Sequence, residues 1–132
     1  MHRIQDSFAR QSMMTTLGAS LVEVSEGHVV IEAPILDTSQ QQHGYGHAAL
    51  TFAIGDSAAG YASLTMMDEG FEVLTAEMKI NLLAPAAKGP LRAVGRVIKP
   101  GRRLIVAQAE VFDGDTQIAL LQGTMVPVKS SQ

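Results

Sequence analysis

The sequence contains no cysteine, and that one absence removes disulfides, thiolate metal sites and cysteine nucleophiles together. It leaves the redox compartment open. No basic tract recurs among the ten Lys and Arg, which stand against thirteen Asp and Glu for a formal net charge of -3. The electrostatic footprint of a nucleic-acid binder is therefore missing. The N-terminal segment lacks the continuous apolar stretch of a secretory signal, so the cytoplasm is the expected location. No cluster of His, Asp and Glu has metal-ligand spacing, and neither a Gly-rich phosphate loop nor a Ser-His-Asp arrangement is visible. What remains is a chain of 132 residues, 46% hydrophobic and 17% charged. That composition excludes a disordered protein, and the length suits a single domain spanning 1–132. So apolar a composition on so small a core implies surface covered by a partner subunit.

Periodicity supplies the elements. Ile4, Phe8, Met13 and Leu17 are spaced for one short amphipathic helix. Residues 21–24 and 28–33 flank a turn at Gly27 and read as a hairpin, which Pro34 ends. A polar connection over 35–46 is long enough for a functional loop. From His47 to Met67 there is no Lys, Arg, Glu or Pro, and the apolar character runs all the way round, which predicts a helix buried on most sides. Asp56, Gly55, Gly60 and the missing basic flank argue against a membrane span. Four strand candidates follow, over 71–83, 91–98, 103–112 and 116–126, the last ending at Pro127. In the first of them Leu74, Ala76, Met78, Ile80 and Leu82 are expected to share one face. About six antiparallel strands with one all-apolar helix give an α+β fold in which the sheet curls around the helix. That is the hotdog layout, here with a short N-terminal helix added.

Asp56 is the residue that demands an explanation. A carboxylate in an apolar helix costs several kcal/mol unless it is hydrogen-bonded, paired or open to a cleft. Either it bonds Ser57 or Thr51 nearby, or it is a catalytic carboxylate facing a pocket. His47 stands where the helix begins, as a cap or loop brace, beside backbone N–H groups suited to an oxyanion. His43 is either a solvated loop residue or a substrate contact. Arg102 and Arg103 sit in a turn and either are simply exposed or meet phosphates, which guanidinium forks suit. Lys79 reads as a surface residue and the Met13-Met14 and Met66-Met67 pairs as core or interface filler. Phe52, Tyr61 and Met78 fit a core or a pocket lining equally well.

These residues resemble a known family. Gln41-Gln42-His43-Gly44-Tyr45-Gly46-His47-Ala48-Ala49, followed by Ala53-Ile54-Gly55-Asp56, is similar to the signature of phenylacetate-type (PaaI-like) hotdog acyl-CoA thioesterases. That family shows Asn, Gly three residues on, His-Gly-Gly three further, and Asp nine after the His. Gly44, His47 and Asp56 keep those spacings, and the run from Thr75 to Pro85, then Gly89 and Gly101-Arg102, matches the strand pattern. The resemblance covers about residues 20–127. It implies hydrolysis of an acyl-CoA thioester, with coenzyme A as part of the substrate and no further cofactor. Asp56 would be general base or nucleophile, and the Ala48 backbone N–H would hold the oxyanion. Gln41, in place of Asn, and Thr75 would help place water or substrate, with His47 beside them; His43, Gly44, Ala49, Arg102 and Arg103 would touch substrate or coenzyme A. Asp56 and the oxyanion N–H would meet across the interface of a homodimer or homotetramer. Neither nucleic acid nor membrane is an expected partner. Ala48-Ala49 in place of Gly-Gly adds two methyl groups at the helix end. Two alternatives stay open: a hotdog hydratase or dehydratase using His47, and a non-catalytic acyl-CoA binding protein.

Overall fold

The computed structural model describes residues 2–131. In chain order the elements are α1 (His2–Arg10), α2 (Ser12–Leu17), β1 (Ser20–Ser25), β2 (His28–Ala33), a 3-10 turn (Asp37–Ser39), α3 (Ala48–Leu64), β3 (Phe71–Leu82), β4 (Leu91–Pro100), β5 (Ile105–Asp113) and β6 (Thr116–Lys129). The six strands form one sheet in the order β1-β2-β4-β5-β6-β3, every pair antiparallel. It curls around α3, which is the hotdog architecture expected from the sequence. The core lies between, built from Val29, Ile31, Ile54, Leu91, Ile118 and Leu121 with their neighbours.

The two halves of α3 have different surroundings, and this explains its all-round apolar sequence. Every residue from Ala58 to Leu64 is buried. The sheet covers one side, and the N-terminal helices cover the other, where the Phe8 and Tyr61 rings lie 6.2 Å apart. In the first half, Ala48 and Ala49 are exposed and Phe52, Ala53, Asp56 and Ser57 only half-buried. Among the described residues this first half of the helix is the less covered. The close approach of helix to sheet depends on Gly95 of β4, where a Cβ would lie 2.3 Å from the carbonyl carbon and oxygen of Ala58.

Several expected boundaries differ. The N-terminal helix is two helices, because Gln11 leaves the helical region at φ -83°, ψ 93°. α3 starts at Ala48 and stops at Leu64 rather than running from His47 to Met67. The Arg3 guanidinium donates to the carbonyls of Leu64 (2.6 Å), Met67 and Asp68 (3.0 Å), satisfying groups that a helix end leaves open. Pro100 closes β4 and β5 begins only at Ile105. Pro127 does not end β6; it lies beyond the last β5 pair, Ile105 with Met125, where one side of the strand has no ladder to lose. The single inward face expected for β3 is also wrong. A bulge at Ala76, with Thr75 opposite Met125 and Glu77 opposite Thr124, moves the inward face from Phe71 and Val73 to Met78 and Ile80. Leu74 consequently points outward and is 57% exposed. Of the methionine pairs, Met14 and Met67 are buried while Met13 and Met66 are exposed.

Candidate active site

The connection over 35–46 is braced by its own polar atoms. Ser39 Oγ accepts from the Leu36 N–H and donates back to the Leu36 carbonyl. The Gly46 N–H donates to the Ala86 carbonyl and the His47 N–H to the Ser39 carbonyl, both fixing where α3 begins. Gln41 Oε1 accepts from the backbone N–H groups of His43 (2.6 Å) and Tyr45 (3.1 Å), so its polar tip closes the loop on itself. Gly44 turns the tip of that loop at φ +88°, a left-handed conformation only glycine adopts cheaply. His43 is exposed beside it.

At the start of α3, His47 is the N-cap: its Nδ1 accepts from the Ala49 N–H at 2.8 Å. A neutral His47 therefore carries its proton on Nε2. The Leu50 and Thr51 N–H groups turn to the His47 carbonyl. The Ala48 N–H has no acceptor among the described residues, and the residue is exposed. One open backbone donor thus sits at the positive end of a 17-residue helix. It looks into a groove of about 430 Å³, lined by Gln41, Thr51, Leu82, Ala84 and Ala86.

Asp56 lies two turns further along α3, half-buried. Its Oδ1 accepts from Thr75 Oγ1 at 2.8 Å, not from Ser57 or Thr51. Thr75 Oγ1 is also 3.3 Å from Met125 Sδ, but its single hydrogen goes to the stronger acceptor, the carboxylate. Burial pushes the Asp56 carboxyl above its ordinary range, against the smaller lowering effect of the Thr75 bond. The group lines a cleft of about 200 Å³ with Thr75, Tyr61, Gln11 and Ser7. Such a carboxylate can take a proton from water or attack an electrophile.

One chain does not bring Asp56 and Ala48 together. Eight residues of helix separate them by about 12 Å of rise, and they open into different hollows. Arg102 lines a third hollow, of about 460 Å³, past the other end of α3 with Met66, Met67 and Phe71; Arg103 is exposed next to it. Among the described residues no three His, Asp or Glu side chains cluster closely enough for a metal ion. No helix among them is long and apolar enough to cross a membrane.

Two features escape a reading of the sequence. Asp113 receives the N–H groups of Ala87 (2.8 Å), Lys88 (2.9 Å) and Gly89 (3.0 Å), which clamps the segment after β3 that walls the Ala48 groove. Burial alone would raise its pKa; the bonds from Lys88, Ala87 and Gly89 and the Lys88 charge hold it below the ordinary range. The Asp-Gly-Asp turn marks that position, but nothing local marks its target. The second feature is the pair Ser7, on α1, and Gln11, at the junction of α1 and α2, which reach Tyr61 in the Asp56 cleft.

Comparison with known proteins matches residues 43–120 to the profile of the thioesterase superfamily. Among solved structures, a thioesterase family protein from Silicibacter pomeroyi superposes with a TM-score of 0.93 at 39% identity, covering 96% of each chain. A Saccharolobus solfataricus protein described as a candidate esterase is 30% identical over 77% of this chain and 72% of its own. The 1,4-dihydroxy-2-naphthoyl-CoA hydrolase of Listeria monocytogenes is 21% identical over 91% of this chain and 98% of its own.

Proposed function

The chain belongs to the thioesterase superfamily, and on that premise we propose that it hydrolyses acyl-CoA thioesters at sites shared between two copies of itself. The observation that carries the reading is Asp56: a half-buried carboxylate of α3 that lines a cleft, held by Thr75, with its proton affinity raised by burial. A raised pKa makes it the stronger base or nucleophile. The Ala48 N–H supplies the complementary electrophilic element, since backbone donors at a helix start hold an oxyanion without help from a side chain. In the reaction water adds to the thioester carbonyl as Asp56 takes its proton, and the oxyanion rests on the Ala48 N–H. As the C–S bond breaks, Asp56 returns that proton to the sulfur, releasing the coenzyme A thiol and the free acid. Attack by Asp56 itself, through an anhydride that water then opens, uses the same groups. The Listeria relative, named for hydrolysis of a CoA thioester, supports the substrate class.

Two features support a shared site. β3 is the end strand of the sheet, twelve residues long and unpaired along one side, whereas the other end strand, β1, has six residues and a bulge. Two-fold antiparallel pairing of β3 with its copy turns the Leu82 end of one strand to the Phe71 end of the other. The Ala48 groove lies at the Leu82 end and Asp56 with Thr75 nearer the Phe71 end. Each composite site then takes Asp56 from one chain and the partner's Ala48 from the other, and the bare stripe of Ala49, Phe52 and Ala53 gains a cover. Arg102 and Arg103, beyond the Phe71 end, are the cations placed to meet the phosphates of coenzyme A. His43, Gly44 and Ala49 border the substrate entry, and Gln41 with His47 shape the loop that presents the oxyanion donor.

The test is free-thiol release from short, medium, long and aromatic acyl-CoAs by wild type and Asp56→Asn. Release that the substitution cuts by at least about a hundredfold, the scale of lost acid–base catalysis, is the expected result. A loss smaller than about tenfold would remove Asp56 from the chemistry. Tight acyl-CoA binding with no release would point to a binding protein instead.

A further inference from the structure

The Asp56 cleft ends in a set of hydroxyl and amide groups that hydrolysis does not need. Tyr61, only 6% exposed, presents its hydroxyl there. Ser7 Oγ lies 3.0 Å from the Tyr61 oxygen, Gln11 Nε2 donates to that oxygen at 3.0 Å, and Ser57 Oγ lies 3.4 Å from Gln11 Oε1. All four side chains line the same cleft as Asp56 and Thr75.

Counting hydrogens shows what this set lacks. The two serines and the tyrosine carry one polar hydrogen each and the glutamine amide two, five in all. The three contacts use three of them. Two donors are left over, one on the amide and one on the Ser7–Tyr61 pair. Turning the Gln11 amide over also leaves two spare hydrogens, one on the amide and the other on Ser57 instead of the Ser7–Tyr61 pair. Two carboxylates, Asp56 and Glu72, face the same space. Their charge disfavours an anionic group there and leaves a neutral oxygen as the suitable acceptor.

Resting on the hydrolase reading above, we propose that Ser7, Gln11 and Tyr61 set acyl specificity by binding a neutral oxygen, hydroxyl or carbonyl, near the far end of the acyl group. Tyr61 stands five residues beyond Asp56 on α3, about 7.5 Å of rise, and both line the one cleft, so short acyl chains are the probes suited to it. The N-terminal helices thereby form part of the substrate pocket as well as covering the core. Ser7 of α1 and Gln11 at the α1–α2 junction supply two of the three groups that read the acyl tail.

The deciding experiment compares three six-carbon substrates, hexanoyl-CoA, 6-hydroxyhexanoyl-CoA and adipoyl-CoA, which end in a methyl, a hydroxyl and a carboxylate. kcat/KM is measured for each, and Kd for the matching thioether analogues that cannot be hydrolysed. Wild type should prefer the hydroxyl over the methyl by about tenfold, the scale of one well-made hydrogen bond, and should reject the carboxylate. Gln11→Leu and Ser7→Ala should each bring the hydroxyl-to-methyl ratio towards one; the ratio is insensitive to any loss of folded protein. A wild-type ratio within about twofold of one, or a ratio that neither variant moves, would overturn the proposal. If the thioethers show the preference but no substrate releases thiol, the pocket assignment stands and the hydrolase reading falls.

Discussion

Thr75 holds Asp56 in place while working against its basicity. The hydroxyl donates at 2.8 Å to Oδ1, and a donor to the charged form lowers a carboxyl pKa; burial raises it and is the larger effect. The base is the deprotonated form, so kcat/KM should rise with pH through an inflection above the ordinary value of 3.8. Thr75→Val keeps the bulk and removes the opposing bond, so the inflection should move to still higher pH. A pH–rate profile of the two proteins with one acyl-CoA checks both; an inflection that stays put in the variant would show that the bond does not tune the base. At the helix start the proposed mechanism uses backbone rather than side chain. Alanine in place of the resembled family's glycine at position 48 keeps the donor, and its methyl lies on an exposed residue.

At the scale of elements, the helix lies on the sheet because β4 offers it a bare backbone at Gly95. Gly95→Ala drives a Cβ to 2.3 Å from the Ala58 carbonyl, a contact that only separation of α3 from β4 relieves. It should destabilise by at least about 3 kcal/mol. Gly60→Ala, where a Cβ meets nothing within 4 Å, should instead stabilise by up to about 1 kcal/mol. Urea midpoints for the pair check this, and equal midpoints would refute the close-packing argument. Periodicity gives these elements well where each is regular: all six strands and α3 are legible from alternation, apolar run and turn residues. It fails where one residue is inserted or one contact is remote. The Ala76 bulge reverses the face of β3 without any change in residue type, so Leu74 reads as core and is surface. Asp56 is visible as an anomaly in an apolar helix, but Thr75 meets it across 19 residues that no local pattern spans. Asp113 and the N–H groups it clamps are likewise joined only by the fold.

For the molecule as a whole, the shared-site proposal makes an arithmetic prediction. Ala48→Pro removes the oxyanion donor at the one helix position that tolerates proline well, and His47 at φ -65°, ψ 144° already has the extended backbone a following proline requires. Alone, Ala48→Pro and Asp56→Asn should each be inactive. Unfolded together and refolded, half the dimers are mixed and hold one intact site in two, so about a quarter of wild-type activity should return. No recovery would place the whole site in one chain. The open edge of β3 has a further consequence, in how the protein is made. Along these twelve residues β6 holds one side, and the N–H and C=O groups of about every second residue face outward, a template for any strand that arrives first. If β3 pairs with its copy as proposed, a newly finished chain is in a race between its own kind and everything else in solution, and the odds improve with the local concentration of identical chains. Synthesis from one messenger, which releases copies side by side, favours the correct pairing; dilution favours the wrong one.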